Sequence, residues 1–449
     1  MKKYFFPDIS QLILSLVLII SIKPLEACDL FWHLAAGREI ITSLKMLYKD
    51  IFSFTKYGAD WLYHEPFFGI IVYSLYKIGG YKLLILFKSL LITGIPALIF
   101  ILFRKKDKLI VAVAVLLWLL LAGRTFTLRP HLISFYLFFL LLFLLEIRKI
   151  TSLPVITLLW ANIHGSFILG LVVIAVYGGY DLLQRKLKLK PLVIYLLSFL
   201  SPIINPHFLS LYIYPFQYVG KTIHSTFIME WFPTTFKEYP YFYIISVFIF
   251  VFYLINIKRL KNFLPLFVIT ILTIYLGITS VRHLPFAACC YIFILNFLPD
   301  REYFKVTDRI NQITHNPSIF FLISFIIAVI LSFNTYSYNP YYYPPNEFIQ
   351  KVRETPGENI FSDYGLCGFL IFQFHPQKRV FIDGRADLYG EKLMKDYVRI
   401  YYFFEEWPGL IYGYPVDLLI LYDTSPVLKF FKDKIVYQNS RFFLIKVLD

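Results

Sequence analysis

Charge is scarce in this chain: Asp, Glu, Lys and Arg make up 16% of its 449 residues. Beside 58% hydrophobic and 20% aromatic content, that scarcity excludes intrinsic disorder and an ordinary soluble protein. Cysteine is scarce too. Cys28, Cys289, Cys290 and Cys367 make neither a disulfide framework nor a CxxC metal motif. Adjacent Cys289 and Cys290 lie in an apolar run and read as packing residues. No phosphate-binding glycine loop, nucleophile elbow, HExxH motif or solenoid repeat is present.

Long apolar runs are what the chain has instead. A helix needs about 20 apolar residues to cross a bilayer, and fewer at the short end of the range. Eleven segments read as spans: 8–25, 80–103, 109–124, 130–147, 152–164, 166–184, 191–205, 240–257, 263–281, 284–299 and 318–336. The formal net charge of +15 sits mainly in short loops between them, so membrane insertion explains it better than nucleic acid.

The loops sort by chemistry. Lys2-Lys3, Arg104-Lys105-Lys106, Arg148-Lys149, Arg185-Lys186, Lys258-Arg259-Leu260-Lys261 and Arg301 fall on one side of the runs. Asp29-Leu30-Phe31-Trp32-His33, His64-Glu65, Arg129-Pro130-His131, Asn162-Ile163-His164, Asn205-Pro206-His207 and Arg282-His283 fall on the other. Basic loops stay in the cytoplasm, so the polar clusters face outward. The N-terminus is then cytoplasmic and an odd span count puts the C-terminus outside. Leu25-Glu26-Ala27-Cys28 resembles a lipoprotein cleavage box, but Glu26 departs from it, and the first span reads as an uncleaved anchor.

The predicted fold class is a polytopic α-helical membrane protein with a C-terminal extracytoplasmic α/β domain. Residues 1–336 form the membrane domain, with a large first outer loop at 26–79, and 337–449 the second domain. In the outer loop, amphipathic patterns at Leu30–Leu44 and Phe67–Ile78 suit interfacial helices. In the C-terminal domain the predicted strands are Asn359–Ser362, Arg379–Ile382, Val416–Tyr422, Lys434–Tyr437 and Phe442–Val447. Asp363, Asp383 and Asp423 each follow a strand. Parallel pairing would gather them at one sheet edge; each also suits a helix or turn cap.

Asp29 and His33 share a helix face at i and i+4. A carboxylate there suits a general base, or a cap for the helix beginning at Leu30. Glu65 is the second candidate acid. Arg124, Arg129 and Arg282 sit at outer span ends, against the charge rule, where a guanidinium fork suits a lipid-linked phosphate. His131 and His283 lie beside them. Asn162 and His164, with Trp160, line a sugar pocket or satisfy buried backbone. Trp61, Trp160 and Trp231 stack on sugar rings or anchor to the membrane. No cofactor is called for, although eight of the nine histidines (all but His315) fall outside. A divalent metal on Asp29, His33, His64 and Glu65 is the alternative.

Asp29–Arg38, Trp61–Glu65, Arg129-Pro130-His131, Trp160–Gly165, Ser280–His283 and Phe381-Ile382-Asp383-Gly384-Arg385 together resemble a bacterial family of multi-pass membrane proteins. That family is itself similar to the GT-C glycosyltransferases. The resemblance implies sugar transfer from a polyprenyl-phosphate donor to an extracytoplasmic acceptor at the bacterial inner membrane, among membrane lipids. It matches Asp29 to the catalytic acid near the first span, with Glu65 second. With that transfer as the reading, the residue chemistry above makes His33, His64, Arg124, Arg129, His131, Asn162, His164, Arg282, His283, Asp383 and Arg385 substrate contacts. The adjacent acidic pair of many GT-C enzymes is absent, because Cys28 precedes Asp29. A lipid or polysaccharide transporter and a non-catalytic envelope assembly protein are the other readings.

Overall fold

Each of the eleven apolar runs contains an α-helix. The computed structural model describes residues 8–185, 188–214, 229–260, 263–300 and 317–447. The stretches 215–228 and 301–316, and with them Lys2, Lys3, Lys186, Lys261 and Arg301 among the basic residues named above, lie outside these residues. The longer helices are α1 (Ile9–Ile20), α2 (Cys28–Ser43), α3 (Pro66–Leu102), α4 (Lys108–Ala122), α5 (Pro130–Glu146), α6 (Leu153–Ala161), α7 (Phe167–Leu183), α8 (Leu189–Leu200), α9 (Pro240–Ile255), α10 (Leu264–Thr279), α11 (Leu284–Ile292), α12 (Pro317–Asn334), α13 (Asn346–Glu354), α14 (Tyr364–Phe374) and α15 (Ala386–Tyr402).

Local signals set their ends. Asp8 and Gln11 form a capping box on α1, and Asp107 caps α4. Proline opens α5, α6, α9, α10 and α11, where its missing N–H costs nothing. Polar breaks such as Asn162–Gly165 and Val281–His283 keep several helices short. Pro66–Leu102 and Lys108–Thr125 are long and apolar enough to cross a membrane; other apolar helices run to 10–17 residues. Inside α3, Gly79 and Gly80 break the helix, and Gly80 takes φ 60° and ψ −157°, a conformation reserved for glycine. The break separates the predicted interfacial pattern at Phe67–Ile78 from the predicted span at 80–103.

The described residues group into two compact units. The first holds 8–23, 85–214 and 229–335, and is helical. In it α10 packs on α11, α1 on α12, α4 on α11, and α6 on α8. Many large apolar side chains stay exposed there, among them Leu116, Leu120, Leu196, Val247, Phe248 and Ile326.

The second unit holds 24–84 and 336–447, so the first outer loop and the C-terminal region share one body. Its five strands are β1 (Asn359–Ser362), β2 (Arg379–Val380), β3 (Leu418–Tyr422), β4 (Ile435–Gln438) and β5 (Phe442–Lys446), in the order β2-β1-β3-β5-β4. β2, β1 and β3 are parallel; β5 and β4 are antiparallel. Phe361, Phe381, Tyr397, Leu419 and Ile445 lie in the core between sheet and helices. The outer loop adds to the sheet edge, where Ser53 bridges Val380 in parallel. Helix α2 lies on α14 so closely that a β-carbon at Gly368 would stand 2.4 Å from the Cys28 carbonyl.

Candidate active site

The start of α2 carries the first acid. The helix begins at Cys28 after Ala27, which makes no side-chain cap bond. Asp29 is therefore not the cap of a helix starting at Leu30 but a first-turn residue, placed favourably on the helix dipole. It is partly buried, and Trp32 Nε1 donates to its Oδ1 at 3.3 Å. The turn Asp383-Gly384-Arg385 presses on it: a β-carbon at Gly384 would stand 2.0 Å from Asp29 Oδ1.

One turn further, His33 is buried and stacked on Trp32, with ring centroids 3.6 Å apart. Its Nε2 lies 3.3 Å from Glu65 Oε2, and His64 Nε2 lies 3.3 Å from Glu65 Oε1. An ionised carboxylate only accepts, so both imidazoles donate to it. His33 Nδ1 then accepts from the Tyr63 hydroxyl at 3.1 Å, which fixes its neutral tautomer. His64 has Glu65 on one nitrogen and the Leu62 carbonyl at 3.5 Å from the other. Glycines allow this meeting. A β-carbon on Gly37 would stand 2.1 Å from the Gly69 carbonyl oxygen, and one on Gly69 would stand 2.2 Å from the Tyr63 hydroxyl. Backbone therefore meets backbone where α2 crosses the start of α3.

The electrostatics separate the three groups. Burial raises the Glu65 carboxyl, but His64 and His33 outweigh it and hold it well below its ordinary range. Burial lowers His33, and Glu65 only partly offsets that. Burial also lowers His64, yet Glu65, with Asp387 behind it, raises it above its ordinary value. Glu65 is thus a poor proton acceptor suited to orientation, and Asp29, one turn before His33, adds to the negative field on that ring.

Asp383 and Arg385 are buried. Arg385 donates to Asp383 through Nε at 2.8 Å and Nη2 at 2.6 Å, and to Asp50 through Nη1 at 2.7 Å. Tyr389 donates to Asp383 as well. The guanidinium lies 4.5 Å from the Trp61 ring centroid and 5.1 Å from that of Phe52. The group ties the outer loop to the sheet. Asp363 caps α14 by accepting from Gly365 N, and Asp423 pairs with Arg441.

The other candidates belong to the first unit. Arg129 pairs with Glu230, and Arg282 stacks over Trp231 at 4.2 Å. Arg124 stacks on Tyr239 and donates to its hydroxyl at 2.8 Å. His131 faces the Thr125 carbonyl and His283 that of Leu276. Desolvation raises the Glu230 carboxyl, but Arg129, His131 and Arg282 outweigh it and hold it below its ordinary range. These four groups therefore share one electrostatic neighbourhood. Asn162 and His164 belong to a different junction. Asn162 accepts from Asn205 and donates to the Leu158 carbonyl; His164 pairs with Ser166.

Sugar stacking on Trp61 and Trp160 is corrected here. Both are buried, Trp61 under Arg385 and Trp160 against Gly170. Among the described residues no three His, Cys, Asp or Glu side chains come together to hold a metal. Each Glu65 oxygen already has an imidazole. Asp50, Tyr63, Tyr389, Asp387 and Glu230 escaped the sequence reading. The partners that matter for Asp50, Tyr63 and Glu230 are distant in sequence, whereas Tyr389 meets Arg385 and Asp383 only four and six residues away.

No protein-family model matches the sequence, and no curated protein is significantly similar to it. Solved structures do share its fold. The apo oligosaccharyltransferase of Archaeoglobus fulgidus aligns with a TM-score of 0.59 at 11% identity, over 92% of this chain and 69% of that one. The same enzyme tethered to an acceptor peptide containing the NVT sequon aligns with a TM-score of 0.53 at 11% identity, over 92% and 68%. ArnT from Cupriavidus metallidurans bound to undecaprenyl phosphate aligns with a TM-score of 0.49 at 12% identity, over 97% of each chain. The chain has a GT-C-like fold.

Proposed function

We propose that the protein is a membrane glycosyltransferase that moves a sugar from a polyprenyl-phosphate donor to an acceptor hydroxyl outside the cytoplasm. The exposed apolar side chains of the helical unit support a lipid setting, since soluble surfaces do not leave so many large apolar groups uncovered. The observation that carries the reading is the setting of Asp29. It is a partly exposed carboxylate pressed by the Gly384 backbone, one turn from an oriented His33–Glu65–His64 network.

Asp29 takes the proton from the acceptor hydroxyl. The oxygen bonds to the anomeric carbon, and the bond from that carbon to the phosphate oxygen breaks. Polyprenyl phosphate leaves with the electron pair. Arg129 and Arg282, with Arg124 in reserve, are the cations of the helical unit suited to hold a lipid-linked phosphate. Burial keeps His33 neutral while Glu65 favours the charged form of His64, so the imidazoles orient donor or acceptor.

The test is Asp29→Asn, assayed as release of polyprenyl phosphate from a panel of polyprenyl-phosphate sugars. Loss of a general base typically costs roughly 100- to 10,000-fold in rate. The variant is expected at normal abundance and normal melting temperature with activity reduced by that order. A folded, fully active variant overturns the assignment and favours a non-catalytic role.

A further inference from the structure

Glu230 lies where the arginine cluster of the helical unit offers its charge. It sits in a short 3-10 turn, Met229–Trp231, held against the turn Val281–His283. Ser280 Oγ donates to the Glu230 carbonyl at 2.8 Å, and Val281 N donates to the Phe232 carbonyl at 3.1 Å. The same turn places Trp231 under Arg282 and the Glu230 carboxylate on Arg129. A carboxylate already pairs with one nitrogen of the Arg129 guanidinium that the functional reading reserves for a phosphate.

We propose that Glu230 is an internal competitor for the phosphate of the substrate, an affinity-setting residue that yields Arg129 when a phosphate arrives. The inference rests on the reading of Arg129 and Arg282 as phosphate contacts. Its energetics fit a displaceable partner. The Glu230 side chain is 49% exposed and that of Arg129 23%, and exposed ion pairs contribute only about 0.2–1 kcal/mol. A phosphate brings more oxygens and up to two charges, which outmatch a single carboxylate. Two guanidinium groups in a lipid setting would otherwise hold ordinary phospholipid. A resident carboxylate lowers affinity for every phosphate alike, so that only a ligand with further contacts stays bound.

The experiment titrates the full chain in detergent with farnesyl phosphate and, separately, with inorganic phosphate. Removing a competitor worth so little should tighten binding on the order of two- to fivefold in Glu230→Gln. Glu230→Ala should show the same gain, which covers a glutamine variant that folds poorly. Arg129→Gln should weaken binding, and adding E230Q to it should restore nothing, because the competitor has lost its site. A gain for both probes identifies the phosphate itself and supports the inference; a gain for farnesyl phosphate alone traces to its lipid chain and overturns it. If R129Q weakens binding but neither Glu230 variant tightens it, the competitor role is overturned and the phosphate reading stands. If R129Q leaves binding unchanged, the phosphate reading fails and the inference with it.

Discussion

Glu65 sits on two histidines, and the pair it makes with His64 has a pH signature. Its carboxyl is held well below the ordinary 4.5, and the His64 imidazole above the ordinary 6.5. The carboxylate's share of stability is present above about pH 4.5 and is lost as pH falls through its lowered folded value. The imidazolium's share is present below about pH 6.5 and is lost as pH rises through its raised folded value. Glu65→Gln should therefore lower stability most between about pH 5 and 6.5, by about 1.5–3 kcal/mol, and less both in strong acid and in alkali. Thermal melting across pH checks this. An equal loss at every pH would show that the charges contribute nothing. Much of this cluster was legible as chemistry in the sequence, because His33, His64 and Glu65 are unusual near apolar runs. Tyr63 and Asp50 were not, because a tyrosine or a loop aspartate becomes distinctive only through its partners.

At the scale of elements, close approach does the positioning. Helix α2 meets α3 at Gly37 and Gly69, α14 at Gly368, and the β2–α15 turn at Gly384. Gly384 gives the sharpest test. A methyl there meets the end of the Asp29 side chain, and the backbone is not in the left-handed region, so alanine should fold. Gly384→Ala should displace the carboxylate and reduce transfer at least tenfold, with melting changed by less than about 1 kcal/mol. Transfer assays beside melting curves decide it; full activity would mean that the position of Asp29 does not matter. The helices and strands themselves were readable from period, caps and glycine breaks. The Gly37–Gly69 crossing was not, since each glycine looks like an ordinary helical residue until the other arrives.

For the whole molecule, two units and one topology remain linked by the chain. The basic runs, read as cytoplasmic, and an odd span count predict a C-terminus outside. A reporter active only in the cytoplasm, fused after Asp449, should stay silent in whole cells. A strong cytoplasmic signal would reverse the side of every cluster described. In the second unit, Arg385 joins Asp383 of the C-terminal region to Asp50 of the outer loop, 335 residues away. Such a buried arginine strongly favours one arrangement, because separating the partners would leave charges buried and unmatched.

Apolar period and breaker residues by themselves determined the helices, the five strands and the acid at the head of α2, because those signals act within a few residues. Composition by itself set the expectation of a lipid setting, because the gain from removing apolar surface from water scales with its area. Tertiary structure alone decided that the outer loop belongs with the C-terminal sheet, that Glu65 is an orienter between two imidazoles, and that Glu230 sits on Arg129. Each of these depends on charges and hydrogen-bond partners brought together from far along the chain. Coulomb and hydrogen-bond energies depend on distance in space, which sequence spacing does not encode.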